Sequence, residues 1–133
     1  MKIDHIGIAT GGIEQAARFY SEALGLKVED VEEVSEQKVR VAMLQIGESR
    51  IELLEPTSSD SPISKFLGKR GPGIHHIAIQ VEDIRKSLES LKREGARLID
   101  EAPRTGAGGC LVAFVHPSST GGVLVELVQS HER

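Results

Sequence analysis

The 133-residue chain repeats itself, and that repeat limits what it can fold into more than any other feature. Ile3-Asp4-His5-Ile6-Gly7-Ile8-Ala9 reads almost as Ile74-His75-His76-Ile77-Ala78-Ile79-Gln80, an offset of 71 residues. The offset persists from Ile13 to Ile84 and from Val41-Ala42-Met43-Leu44 to Val112-Ala113-Phe114-Val115. It widens to 74 where Ile51-Glu52-Leu53 meets Val125-Glu126-Leu127, and the extra residues fall in the turn-rich Pro117 to Gly122. Each copy opens with β-branched residues at alternate positions, a strand pattern. A helical spacing follows: Ile13, Ala17, Tyr20 and Leu24 ending at Gly25, and Ile84, Leu88 and Leu91, opened by Asp83 and ending at Gly95. Three more strands are predicted in each copy, near 27–34, 38–46 and 49–55, then near 97–101, 110–116 and 122–129. Gly47-Glu48 makes one hairpin. The expectation is an α+β fold of two tandem βαβββ modules about a pseudo-twofold axis. Module 1 covers about 1–56, a connector with a short helix near Ile63 to Leu67 covers about 57–73, and module 2 covers about 74–129. Neither module alone buries its sheet, so residues 1–133 are expected to form a single domain.

Alternation within the strands selects candidate functional residues. If Ile6 and Ile8 pack under a helix, His5, Gly7 and Ala9 line the other face, and His76, Ala78 and Gln80 do the same in the second copy. The small neighbours leave room for a ligand. Glu52 and Glu126 each stand between aliphatic residues, where a carboxylate must reach solvent or a partner. Each residue type has an ordinary structural role when met alone; their recurrence at matching positions points to a divalent metal site of His5, Glu52, His76 and Glu126. Two imidazoles and two carboxylates suit Co, Ni, Mn, Zn or Fe, and without thiolates a structural zinc site is disfavoured. Four ligands in an octahedral field leave two positions for a bidentate substrate.

Other residues carry weaker signals. His75 has the opposite parity to His76 and is read as structural, against the helix layer or the module junction. His116 reads either as a substrate contact or as a turn stabiliser, and His131 as part of a polar tail. Gly106-Ala107-Gly108-Gly109 precedes a strand, so it is no dinucleotide fingerprint; it is either a close-approach loop or a plain turn. Arg104 and Lys38 are candidate partners of phosphate or carboxylate groups. A net charge of −4 without a basic stripe, with one Tyr, three Phe and no Trp, argues against nucleic acid. The single cysteine, Cys110, excludes an internal disulfide and fits a reducing cytosol. The opening MKIDHIGIAT lacks a secretory h-region, and no apolar run reaches membrane-spanning length, so a cytoplasmic protein is expected.

Taken together, DHIGIA, IELLEP, GIHHIAI, GAGG, FVHP and GVLVEL resemble the methylmalonyl-CoA epimerases over essentially the whole chain. The wider vicinal-oxygen-chelate superfamily, which includes glyoxalase I, shares the fold and the metal positions. The resemblance implies a curved mixed sheet around a metal cleft. It implies His5, Glu52, His76 and Glu126 as metal ligands, with cobalt the first expectation and Mn, Ni or Zn the alternatives. It further implies methylmalonyl-CoA as substrate, inversion at C2 by 1,1-proton transfer through a metal-stabilised enolate, and a homodimer. Some epimerases of this kind have Gln at the position of Glu52 and a separate Glu on the neighbouring strand. Aligned through Glu36-Gln37, that separate position is Val41 here, which cannot move a proton. Glu52 and Glu126 are therefore expected to be the two bases, as in glyoxalase I. Glu48, at the hairpin turn, and Glu55, of the wrong parity, are the weaker alternatives. The rival readings are a glyoxalase I-type lyase using the same four ligands, a ring-cleaving dioxygenase, and a metal-free binding protein.

Overall fold

The computed structural model describes residues 1–130, so His131 lies outside the described residues. The chain divides into two compact units, His5–His75 and Met1–Asp4 together with the chain from His76 onward.

In the unit His5–His75 the strands are β1 (Lys2–Ala9, from His5 on), β2 (Val28–Val34), β3 (Val39–Ile46) and β4 (Ser49–Pro56), ordered β2-β3-β4-β1. β1 runs parallel to β4, and β2, β3 and β4 are antiparallel neighbours. Gly47 takes φ 55, a left-handed value that closes the hairpin so that Ile46 pairs with Ser49. One sheet face places Ile8, Ala42, Leu44, Ile51 and Leu53 against Ile13, Ala16, Ala17 and Tyr20. Leu44 and Leu53 are fully buried, each contributing about 2 kcal/mol by leaving water. The helix α1 (Ile13–Arg18) passes into a π-helical turn, Phe19–Ala23, in which the Leu24 amide bonds the Phe19 carbonyl. That wider turn corrects the expected apolar stripe. It rotates Leu24 outward, 58% exposed, and Leu26 joins the core in its place. The connector helix α2 (Pro62–Arg70) is longer than predicted: the buried Ser61 hydroxyl caps it, Pro62 starts it, and Gly71 at φ 73 ends it.

The second unit holds β5 (Gly73–Gln80, from His76 on), β6 (Arg104–Thr105), β7 (Leu111–Val115) and β8 (Val125–Gln129), ordered β5-β8-β7-β6. β5 is parallel to β8, and β8, β7 and β6 are antiparallel neighbours, as in the first unit. The helix α3 (Ile84–Arg93) is capped by Asp83, whose carboxylate accepts the Lys86 amide, and Gly95 at φ 86 follows its end. Ile84, Leu88 and Leu91 pack with Ala113, Val115 and Leu127 as the spacing predicts. The strand expected over 97–101 does not form. Leu98 makes a single bridge to Val115, and the Asp100 carboxylate takes the Phe114 amide at 2.9 Å. A side chain thus satisfies a donor that a strand carbonyl would have met, and the pairing resumes after Pro103 as the two-residue β6.

Candidate metal centre

Strand parity delivers one histidine and one glutamate to the same sheet face in each unit. In the first, Glu52 pairs across β1 with Gly7 and across β3 with Met43, while Ile51 and Leu53 turn to the helix side. His5 Nε2 stands 3.5 Å from Glu52 Oε1. In the second, Glu126 pairs with Ala78 and with Phe114, while Val125 and Leu127 turn to the helix side. There His76 Nε2 is 2.9 Å from Glu126 Oε1. Gly7 and Ala78 are the small residues that make room beside each pair.

All four side chains are buried: His5 is 4% exposed, Glu52 6%, His76 3% and Glu126 6%. Burying a carboxylate is costly unless a cation or hydrogen-bond donors compensate it. A divalent ion suits this donor set, because each pair presents the same imidazole nitrogen and a carboxylate oxygen, with no sulfur. His5, Glu52 and His76 each offer a ligand atom of the kind a metal takes. The residues present therefore fit a metal held by nitrogen and oxygen.

Beyond this set, the His76 ring meets Phe114 edge to face, with centroids 5.7 Å apart. Sequence reasoning overlooked Phe114, although its place opposite Glu126 follows from the repeat. It also overlooked the tie between each final strand and its helix. Glu55 Oε1 accepts the Ile13 amide at 2.8 Å, and Gln129, the residue that repeats Glu55, accepts the Ile84 amide at 2.8 Å. Glu55 is further paired with Arg40 at 2.9 Å, so its carboxylate serves the helix side of β4, away from Glu52. Val41 is a buried core residue opposite Leu54.

The remaining candidates resolve individually. His75 packs edge to face on Phe66 of α2, at 5.0 Å. His116 stabilises its turn: Nδ1 accepts the Ser118 amide at 3.0 Å and lies 2.8 Å from the Ser118 hydroxyl. Within 106–109, a Cβ on Gly106 would stand 2.9 Å from Val112 Cγ1, so glycine is needed there for the loop to lie against the sheet. Lys38 is engaged by the Asp60 carboxylate, and Arg104 by Asp100. That lysine contact, with a further hydrogen bond from Ser58, lowers the Asp60 pKa to about 2. Among the described residues, no helix is long and apolar enough to cross a membrane.

Comparison with known proteins agrees with this geometry. Residues 4–114 match the Glyoxalase/Bleomycin resistance protein/Dioxygenase superfamily. The chain is 46% identical to an uncharacterized protein of Bacillus subtilis, over 96% of this chain and 91% of that one. It is 40% identical to the mitochondrial methylmalonyl-CoA epimerase of Homo sapiens, over 97% of this chain and 74% of that one. In structure it is similar to Streptomyces coelicolor methylmalonyl-CoA epimerase in complex with 2-nitronate-propionyl-CoA. The TM-score is 0.95 at 40% identity, covering 98% of this chain and 95% of the other.

Proposed function

The chain belongs to the methylmalonyl-CoA epimerases, within the vicinal-oxygen-chelate fold of the glyoxalase superfamily, and from that premise we propose that it interconverts (R)- and (S)-methylmalonyl-CoA by 1,1-proton transfer. The observation that carries the reading is the buried histidine–glutamate pair found once in each module, on a chain this similar to epimerases. His5, Glu52, His76 and Glu126 would together hold one divalent ion, cobalt in the first instance. Neither module supplies the whole set, which favours residues 1–133 acting as a single domain. When bound, the ion supplies positive charge against the negative charge that develops as C2 loses its proton.

The chain's own residues perform the proton transfer. The C2 proton lies between a thioester and a carboxylate, and inversion requires one group to remove it and another to return a proton to the opposite face. Glu52 and Glu126 are the carboxylates available, one from each module. A carboxylate screened from bulk water also limits loss of the planar intermediate to side reactions. A homodimer in the cytoplasm is the expected setting, and light scattering of the purified protein tests the assembly.

The deciding experiment measures deuterium incorporation at C2 of methylmalonyl-CoA in D₂O, after chelation and again after Co²⁺ is restored. Metal-dependent exchange with interconversion of the epimers is expected. Absence of exchange with metal demonstrably bound would reject the substrate assignment and move the site toward a glyoxalase-type hemithioacetal; absence of both would reject the metal site. Glu52→Gln is expected to lower the epimerisation rate about a hundredfold or more. Full activity in that variant with metal still bound would remove Glu52 from the proton-transfer pair.

A further inference from the structure

We infer that Arg104 is an oxyanion-binding residue of the substrate site, gripping a phosphate or carboxylate group of the acyl-CoA with its two terminal nitrogens. This rests on the acyl-CoA epimerase reading above. The register puts the arginine on the ligand-bearing face. Arg104 pairs with Val112, Phe114 follows two residues along the same strand and pairs with Glu126, and Glu126 pairs with Ala78, two residues beyond His76. Directly paired residues share a face, as do residues two apart on one strand. Arg104, Phe114, Glu126 and His76 therefore lie on one side of this unit's sheet. Between them Ala78, Val112 and Val128 form a buried apolar floor.

The side chain is held so that its reactive end is left open. Asp100 Oδ1 stands 3.2 Å from Arg104 Nε, and the other Asp100 oxygen is occupied by the Phe114 amide. The guanidinium carbon sits 6.0 Å from the centre of the Phe114 ring, whose edge contact on the other side is His76. The inner nitrogen is thus anchored and the plane is supported by an aromatic ring. Among the described residues, neither terminal nitrogen makes a hydrogen bond to the protein, and the side chain is 40% exposed. An anchored guanidinium with its fork open matches two oxygens of one phosphate or carboxylate at little cost in side-chain entropy. Lys38, the other cation singled out by the sequence, has no such freedom, because Asp60 already occupies its ammonium. In a chain of net charge −4, a polyanionic thioester needs a local cation of this kind.

The test compares Arg104→Met and Arg104→Lys with the unmodified protein, using methylmalonyl-CoA and methylmalonyl-pantetheine, which lacks the nucleotide phosphates. If the bound oxyanion is a CoA phosphate, Arg104→Met raises KM for the CoA ester roughly tenfold to a hundredfold with kcat nearly unchanged, and leaves the pantetheine ester unaffected. If it is the malonyl carboxylate, both esters lose by that factor. Arg104→Lys should recover part of the loss, since it keeps the charge without the fork. KM within twofold of the unmodified protein for both esters, at unchanged Tm, would overturn the assignment. Should the unmodified protein fail to epimerise either ester, calorimetry with free CoA separates the two ideas. Binding that Arg104→Met abolishes would keep Arg104 as a phosphate contact while the epimerase reading falls; equal binding by both proteins would overturn the contact as well.

Discussion

The two modules share a plan and differ in what surrounds their histidine–glutamate pairs. His76 and Glu126 are 2.9 Å apart, with Phe114 packed against the imidazole; His5 and Glu52 are 3.5 Å apart, and the residue facing Glu52 is the flexible Met43. The helices diverge too, since α3 is a regular, side-chain-capped helix while α1 lacks a side-chain cap on its first residue's flank and widens into a π turn. The two modules therefore match in the histidine–glutamate pair and differ in what supports it. In the second module an aromatic ring and a carboxylate–guanidinium pair stand behind the histidine–glutamate pair.

The largest effect should separate Phe114 from Met43. Phe114→Ala is expected to cost about 2–3 kcal/mol of stability, because it removes a large, partly buried ring and its edge contact with His76. It should also weaken metal binding about tenfold by freeing the imidazole. Met43→Ala should cost about 1 kcal/mol and change metal affinity less. Chemical denaturation and calorimetric titration with Co²⁺ measure both, and equal effects at the two positions would erase the contrast between the modules.

A smaller effect distinguishes the ties between strand and helix. Glu55→Ala should lower stability by about 1–2 kcal/mol and Gln129→Ala by about 1 kcal/mol, because the charged acceptor makes the stronger hydrogen bond. Glu55→Gln, which makes the first tie like the second, should retain most of the stability. A loss as large as that of the alanine variant would show that the Arg40 pairing, and not the helix contact, is what matters in the first module.

The smallest effects are at the surface and have opposite pH signatures. Asp60 has its pKa lowered from 3.8 to about 2 in the folded chain, chiefly by the Lys38 contact. Its stabilising contribution is therefore present above pH 3.8 and is lost as pH falls through about 2. Lys92 in the second unit is raised above 10.5 by its bond to Glu101. Its contribution is present below pH 10.5 and is lost as pH rises through the raised value. NMR titration of Asp60 in Lys38→Met, and of Lys92 in Glu101→Gln, checks the pair. An Asp60 pKa unmoved by Lys38→Met would show that the pairing does not set it.

The repeat made most of the fold legible, because strand parity and helical spacing leave periodic traces in apolar residues. Ile84, Leu88 and Leu91 packed as their spacing predicts, and the carboxylates of Glu52 and Glu126 turned to the same faces as His5 and His76. The misreadings share a cause. At Leu24 one extra residue in a helical turn shifted the stripe, and at 97–101 the Asp100 side chain took a bond that β pairing was expected to make. Neither event alters the pattern of apolar residues, so neither leaves a periodic signal.

The amino-acid sequence by itself determined the duplicated architecture, the faces on which the two histidine–glutamate pairs stand, and the family resemblance. These depend on residue type and spacing along one chain. The tertiary structure alone decided which cations are free and which are engaged, that Phe114 backs His76, and that Glu55 and Gln129 clasp the helices. Lys38 meets Asp60 across 22 positions, Phe114 meets His76 across 38, and the two clasps span 42 and 45. Partners so distant meet only after the sheets are paired, and no local pattern in the chain records the meeting.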